Sequence, residues 1–399
     1  MEAFDVAALG IGPADVREAV DEPCFLPAGA PDRWLSGWHL RGTMSAFRGQ
    51  DDTPVPGALV SGSVRVTVDG KLLTVGIDYM VDEKWSAVSR AGDWSGYALI
   101  SYRYRLRRID ALIRDDDGAL TVVAGHPHLS TPLPPQVSPD RHVANVFVDG
   151  DDMVVLPIGG QTWAAASNAQ LALLPTLSAL LEAQSRPVRV TCWGDSVTAG
   201  GSSSSRWSAY PLHIDRAMNA AGIPAVVTTV AIGGTNTSQW LAGAVSEMSI
   251  DRVAASRPDV LVVEFVNDAD LDDEQLLRNY EEIADLCRSW NCDLILSTPH
   301  FVMPEWMQHQ KITQPDGRPY VDFLRRFSAQ RGIALAEVAR AWESLWRFGL
   351  PYPSLLSNGI NHPDDRGHEI YANEILSVMG LPFEAAGGSS PAGSRWMAS

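Results

Sequence analysis

Short apolar segments alternate with amphipathic ones through the second half of the chain, and this pattern limits the fold more than any other feature of the sequence. Between the apolar segments, 274–290 and 320–331 carry apolar residues at helical spacing. Strands that alternate with helices form a parallel sheet covered on both faces, so the sequence predicts a three-layer α/β/α domain. The apolar segments have the length of buried strands and lie at 188–193, 225–230, 260–265, 293–297 and 333–337.

The first part of the chain has the pattern of an all-β domain. Residues 33–156 lack helical periodicity, and turn sequences such as Asp69-Gly70 separate short apolar segments. These segments lie at 64–68, 72–75, 97–104, 120–123 and 143–148. We predict a β-sandwich or jelly-roll-like domain over 1–158, a connecting helix over 159–186, the α/β domain over 187–383 and a flexible tail over 384–399.

Charge and hydropathy exclude two classes of partner. The 399 residues include 31 basic and 48 acidic side chains, which gives a formal net charge of -17. Nucleic-acid binding needs a basic surface, so we predict no nucleic-acid partner. No run of about 18 apolar residues occurs, so we predict no membrane association. The N-terminus lacks the basic and apolar regions of a signal peptide, and we expect a cytoplasmic protein.

Polar residues follow the predicted parallel strands at the points where the strands end. The carboxyl ends of parallel strands meet at one edge of a sheet, and sites form in the loops there. We therefore expect four polar segments to lie close together. They are Gly194-Asp195-Ser196, Gly233-Gly234-Thr235-Asn236, Asn267-Asp268 and Asn361-His362-Pro363.

These segments contain the groups that acyl transfer requires. Ser196 is the candidate nucleophile and His362 the candidate base, because a serine hydroxyl needs a nearby proton acceptor to react. The backbone N–H groups of Ser196 and Gly234 and the side-chain amide of Asn267 are candidate oxyanion donors. We expect Ser196 to begin a helix, whose N-terminus adds partial positive charge. We predict no cofactor and no metal, because His362 and His368 have no third ligand at a suitable spacing.

The order Gly-Asp-Ser, glycine, Asn-Asp and His-Pro resembles the SGNH (GDSL) hydrolase family over residues 187–380. The resemblance implies an α/β/α esterase in which Ser196 is the nucleophile and His362 the general base. It also implies that Ser196, Gly234 and Asn267 form the oxyanion hole. Each motif is short, and the specificity comes from finding four in this order, each after a predicted strand.

Two positions depart from the family pattern. Phe265 lies two residues before the third-block asparagine, where the family usually has glycine, and could narrow the acyl pocket. Gly359 lies three residues before His362, where the family has its acid. Asn358 and Asn361 are candidate orienting residues for the base. The alternatives are a Ser–His dyad or an acid from elsewhere in the chain.

The two-domain organisation resembles certain carbohydrate esterases that remove acetyl groups. It implies a short acyl ester, most simply an O-acetyl ester on a carbohydrate, as the substrate. Trp193, Trp240 and Trp306, together with Phe265, are candidate substrate contacts, and core packing is the alternative role for these rings. An acyltransferase of the same fold and a non-catalytic carbohydrate-binding protein are the alternative functions.

Overall fold

The computed structural model describes residues 9–33, 35–45, 53–94, 96–158 and 164–381. Its described residues form two compact units. The first unit contains the residues up to 158 together with 347–361, and the second contains 164–346 and 362–381. Within the described ranges, no helix is both long enough and apolar enough to cross a membrane. The predicted tail over 384–399 lies outside the described residues.

The first unit is built from antiparallel strands. They form sheets with the orders β1-β9-β5-β6, β11-β10-β12-β13, β2-β8-β7 and β3-β4. The all-β character predicted for this region is confirmed, and the jelly-roll arrangement stays a prediction. The strands are β1 (Asp15–Cys24), β2 (Trp38–His39), β3 (Met44–Ser45), β4 (Thr53–Pro54), β5 (Arg65–Val68), β6 (Lys71–Leu72), β7 (Tyr79–Asp82), β8 (Ala87–Arg90), β9 (Ala98–Leu106), β10 (Arg108–Arg114), β11 (Leu120–Val123), β12 (His142–Asp149) and β13 (Asp152–Pro157).

Strand β9 illustrates why this region forms sheets. Ala98, Ile100 and Tyr102 are buried at alternate positions, and Leu99 between them is 40% exposed. Successive side chains of a strand point to opposite faces, so this alternation buries one face in the core of the unit. Strands β1 and β5 pair with β9 on its two sides.

The second unit is a parallel sheet with flanking helices, as predicted. All five predicted strands form, and the sheet has the order β15-β14-β16-β17-β18. The strands are β14 (Val188–Gly194), β15 (Ala225–Ala231), β16 (Val260–Glu264), β17 (Asp293–Ser297) and β18 (Ala334–Ala336). The helices are α1 (Pro175–Ala183), α2 (Tyr210–Ala220), α3 (Thr237–Leu241), α4 (Ile250–Ala255), α5 (Asp273–Trp290), α6 (Pro319–Arg331), α7 (Val338–Ser344) and α8 (Asp365–Val378).

The strand order determines where a site can form in this sheet. From β14 the chain passes to β15 on one side and then returns to place β16 on the other side. The loops after β14 and β16 therefore diverge and leave a crevice at the carboxyl ends of the two strands. The loop after β14 carries Ser196, and the loop after β16 carries Asn267.

Strand β16 packs against different helices on its two faces. Leu261, Val263 and Phe265 join a buried core that includes Tyr280 of α5 and Phe327 of α6. On the opposite face, the fully buried Glu264 carboxylate accepts a hydrogen bond from Thr198 Oγ1 at 2.8 Å and one from the Tyr371 hydroxyl of α8 at 3.4 Å. The polar residues beneath the crevice are thus held by a strand whose other face is apolar.

Gly194 lets the turn that carries Ser196 approach β16 closely. A Cβ atom at this position would overlap both the Thr198 Oγ1 atom and the backbone carbonyl oxygen of Glu264. A threonine side chain can rotate, but a carbonyl in the middle of a sheet cannot leave its place. Glycine is therefore required at the end of β14 for a steric reason.

We expect Gly194→Ala to lower the free energy of unfolding by about 3 kcal/mol, at the upper end of the cost of overpacking. Urea unfolding followed by tryptophan fluorescence measures this change. Gly317→Ala is the matched control, because a Cβ at the exposed Gly317 meets no atom within 4 Å. Equal unfolding free energies for the two variants would contradict the steric role of Gly194.

Candidate active site

Ser196 and His362, 166 positions apart in the sequence, form a hydrogen-bonded pair. Ser196 Oγ lies 2.9 Å from His362 Nε2. Ser196 occupies the turn after β14 and is only 6% exposed, and His362 lies in the loop that leads into α8. A serine hydroxyl within hydrogen-bond distance of an imidazole nitrogen is the arrangement in which the ring can remove the hydroxyl proton.

Ser196 does not begin a helix, which corrects the sequence prediction. The segment closes a single turn, in which the Ala199 N–H donates to the Asp195 carbonyl at 3.0 Å, and the next helix begins at Tyr210. Gly200, with φ +84°, ends this turn. The segment that carries Ser196 therefore contributes no helix N-terminus of its own.

The side chain of Asp195 connects the nucleophile turn to Asn267. Its carboxylate accepts hydrogen bonds from the Val197 N–H at 3.0 Å, the Asn267 N–H at 3.2 Å and the Asn267 Nδ2 at 2.9 Å. Asn267 Nδ2 also donates to the Thr235 carbonyl at 3.2 Å. The loops after β14, β15 and β16 are thus joined by one amide and one carboxylate.

Asp268 links the loop after β16 to the start of α3 and to α5 by hydrogen bonds. Its buried carboxylate accepts hydrogen bonds from the Thr237 N–H at 2.8 Å, the Thr237 hydroxyl at 2.9 Å and the Tyr280 hydroxyl at 2.9 Å. Thr237 is the first residue of α3, so this contact fixes the segment that follows the glycine pair.

The two glycines after β15 lie differently with respect to the nucleophile. A Cβ on Gly233 would lie 3.4 Å from the Ser196 Cβ, so this glycine borders the nucleophile directly. Gly234 has φ +73°, in the left-handed region that glycine adopts without strain, and faces open space. Gly234 stays the predicted oxyanion donor.

Burial changes the proton affinity of the carboxyl groups beneath the site. Burial, with the nearby negative charge of Asp268, raises the pKa of Asp195 to about 7. Burial raises the pKa of Asp268 to about 7 as well, and the pKa of Glu264 lies well above its usual value because it is buried beside Asp195. Low dielectric disfavours the charged form of each group, so these carboxyl groups bind protons at a higher pH than exposed ones do.

Sequence reasoning missed the group that faces the second ring nitrogen of His362. Ser202 Oγ lies 3.0 Å from His362 Nδ1. Ser202 belongs to a run of serines after the nucleophile, and no spacing rule distinguishes it within that run. The predicted orienting residues are hydrogen-bonded to each other, with Asn358 Nδ2 donating to Asn361 Oδ1 at 3.0 Å.

Residues 192–370 match the model of the GDSL-like lipase/acylhydrolase family. The match confirms the family resemblance inferred from the four motifs and supports an ester hydrolase activity. No curated protein matches the chain.

Several solved structures resemble about half of the chain. A two-domain esterase active on acetylated mannans, crystallised with mannopentaose, has 19% identity and a TM-score of 0.42, over 53% of this chain and 54% of its own. Axe2, an acetylxylan esterase from Geobacillus stearothermophilus, has 16% identity and a TM-score of 0.39, over 50% of this chain and 97% of its own. TesA has 18% identity and a TM-score of 0.38, over 48% of this chain and 97% of its own. This chain thus spans about half the length of the two-domain esterase.

Three aromatic residues of the GDSL-like segment lie in its core, which corrects their prediction as substrate contacts. Trp193, Trp240 and Phe265 are fully buried. The Trp193 ring packs edge-on against the rings of Trp240 at 5.8 Å and Phe265 at 5.4 Å. Their side chains have no exposed surface for a substrate to contact. Trp306 is 43% exposed, and its contact with substrate stays a prediction.

Among the residues that the structure describes, no three His, Cys, Asp or Glu side chains are arranged to hold a metal ion.

Burial lowers the pKa of His362 to about 4. The neutral ring is the form that accepts a proton, so the lowered pKa preserves this form in acidic solution. We expect NMR titration of histidine-labelled protein to give a midpoint near pH 4 for His362, with the signal assigned by its loss in His362→Gln. A midpoint near the ordinary value of about 6.5 would contradict this prediction.

Proposed function

We propose that the protein is a serine esterase that hydrolyses short acyl esters, with O-acetyl groups on a carbohydrate as the natural substrate class. The observation that carries the proposal is the 2.9 Å hydrogen bond between Ser196 Oγ and His362 Nε2. The family match over residues 192–370 supports the ester-hydrolase part of the proposal.

In the proposed acylation step, Ser196 Oγ attacks the ester carbonyl carbon while His362 Nε2 takes the hydroxyl proton. The tetrahedral intermediate collapses when the imidazolium returns this proton to the leaving alcohol oxygen, which breaks the ester C–O bond. An acyl group then remains on Ser196. Both transfers use the same nitrogen, and it already lies within hydrogen-bond distance of the nucleophile.

The proposed oxyanion donors are the backbone N–H groups of Ser196 and Gly234 and the Nδ2 of Asn267. Asn267 Nδ2 donates to the Asp195 carboxylate at 2.9 Å and to the Thr235 carbonyl at 3.2 Å. The longer bond to the neutral carbonyl is the weaker one, so the oxyanion replaces Thr235 as acceptor. Asp195 then keeps the amide oriented throughout the reaction.

In the proposed deacylation step, water is the nucleophile and Ser196 Oγ is the leaving group. Water enters after the alcohol leaves, and His362 removes a proton from the water as its oxygen attacks the acyl carbon. The proton then returns to Ser196 Oγ, and the carboxylic acid is released. An acceptor alcohol in place of the water would give acyl transfer, which is the alternative outcome at this step.

The confined position of the nucleophile supports a short acyl group. Ser196 is 6% exposed, and Gly233 lies against its side chain. Phe265 does not narrow the space around Ser196, because its ring packs in the core on the other side of β16. The carbohydrate part rests on the organisation of the chain, with an antiparallel β unit ahead of the parallel sheet.

We expect Ser196→Ala to lower kcat for p-nitrophenyl acetate by at least about 10⁴-fold, because the nucleophile is lost. The same substitution should abolish labelling by a fluorophosphonate probe. Ser289→Ala is the matched control, since this exposed hydroxyl only bonds the Leu286 carbonyl within α5. Wild-type protein without turnover or label would contradict the esterase proposal and favour a non-catalytic carbohydrate-binding protein.

We expect kcat/KM for p-nitrophenyl esters to fall by at least about tenfold from acetate to butyrate, because added methylene groups meet the walls around Ser196. Release of acetate from O-acetylated polysaccharides, measured with and without added sugar acceptors, identifies the natural reaction. A rate that stays constant or rises with acyl length would contradict the short-acyl proposal. Acetylated sugar formed in place of free acetate would indicate an acyltransferase.

A further inference from the structure

The proposed base needs a partner at Nδ1, because only a ring held in one orientation and one tautomer presents Nε2 to the nucleophile. The family resemblance places an acid at position 359, where this chain has glycine. Gly359 has φ +68°, and a Cβ there would lie 2.9 Å from Val55 Cγ1. The backbone conformation and the crowding both disfavour an aspartate at this position.

The two acids that follow His362 in the sequence have other structural roles. Asp364 caps α8 by accepting a hydrogen bond from the Gly367 N–H at 3.1 Å, and it pairs with Arg366 at 2.7 Å. Asp365 accepts a hydrogen bond from the Ser204 N–H at 2.7 Å. Both carboxylates therefore fix the start of α8 and the segment beside it.

We propose that Ser202 is the positioning residue of the base and takes the place of the family's acid. Ser202 Oγ lies 3.0 Å from His362 Nδ1, and we assign the ring nitrogen as the donor of this bond. Nδ1 then carries the proton of the resting ring, and Nε2 accepts the hydrogen bond of the Ser196 hydroxyl. This inference rests on the proposed esterase function.

The backbone of Ser202 has a conformation that only a specific environment maintains. Its φ is +65°, in the left-handed region that is strained for a residue other than glycine. The side chain is only 5% exposed. Such strain persists where the surrounding structure compensates for it, and it occurs most often at functional sites.

The serine loop, residues 200–205, is fixed on both sides of Ser202. On one side, the Gly201 N–H donates to the Ser196 carbonyl at 2.7 Å. On the other side, the Ser203 hydroxyl donates to the Gly200 carbonyl at 2.7 Å, and Ser204 is bonded to Asp365 at the start of α8. The loop is thus attached to both the nucleophile turn and the helix that follows the base.

A hydroxyl partner has a different chemical effect from a carboxylate. It accepts the Nδ1–H and orients the ring, but it brings no negative charge to stabilise the imidazolium. A facing carboxylate would raise the pKa of the ring, whereas burial lowers the pKa of His362 to about 4. The Ser202 arrangement therefore gives a correctly oriented base that stays neutral in acid.

The test compares Ser202→Gly and Ser202→Asp with the wild-type protein. Glycine removes the hydroxyl and suits the positive φ, and we expect kcat/KM for p-nitrophenyl acetate to fall about 100-fold, mainly through kcat, as the ring loses its orientation. Aspartate should restore activity relative to glycine. It should also move the acid limb of the pH–rate profile upward by about 1 to 3 pH units, because its charge favours the protonated ring.

Asn291→Gly is the matched control. Asn291 also has a positive φ (+53°) but is exposed, and it ends α5 just before β17, at the opposite edge of the sheet. Titratable groups next to the base, or next to the residues that contact it, include Asp195, Asp364, Asp365 and His368. All four are unchanged in Ser202→Asp, so a shifted acid limb in that variant alone reports on the group that faces His362.

A second measurement does not depend on turnover. We expect the imidazole ¹⁵N shifts of His362 to show the Nδ1-protonated tautomer in the wild-type protein and a mixture of tautomers in Ser202→Gly. An active wild type whose glycine variant keeps the rate, the acid limb and the tautomer would overturn the role of Ser202 and leave the esterase proposal intact. If the wild type is inactive, the esterase proposal fails, and an unchanged tautomer would still overturn the Ser202 assignment.

Discussion

The candidate site depends on the buried carboxylate of Asp195, which joins the loops on the two sides of the crevice. It accepts hydrogen bonds from the turn after β14 and from both nitrogens of Asn267 after β16. Burying this group has a cost, and its pKa rises to about 7. The hydrogen bonds offset part of that cost, and in return they fix the nucleophile turn and the proposed oxyanion amide relative to each other.

A separate set of contacts, at the start of α8, positions His362 beside Ser196. Helix α8 packs closely at its start, where a Cβ on Gly367 would lie 2.9 Å from Trp342 Cζ2. Asp364 caps the helix, and Asp365 attaches it to the serine loop. The base and the loop that supports it are therefore positioned by one helix terminus, and the proposed geometry needs no acid from the segment before His362.

The errors of the sequence analysis have common physical causes. Trp193 and Phe265 lie in or directly after strands, where alternate side chains face opposite layers, and the sequence does not say which layer is the crevice. The helix predicted at Ser196 is a single turn, because Gly200 with φ +84° ends it. Ser202 could not be recognised, because only the tertiary structure brings it into contact with His362, 160 positions away.

The sequence by itself determined the parallel sheet, its five strands, the helices α5 and α6 and the four loops that meet at its edge, because apolar periodicity and the order of local motifs encode these features. It also named Ser196 and His362, the pair that the structure brings within 2.9 Å. Only the tertiary structure decided which aromatic rings are core and which group faces the second nitrogen of the base. Those contacts join residues far apart in the chain, and no local pattern in a sequence records which distant residues meet.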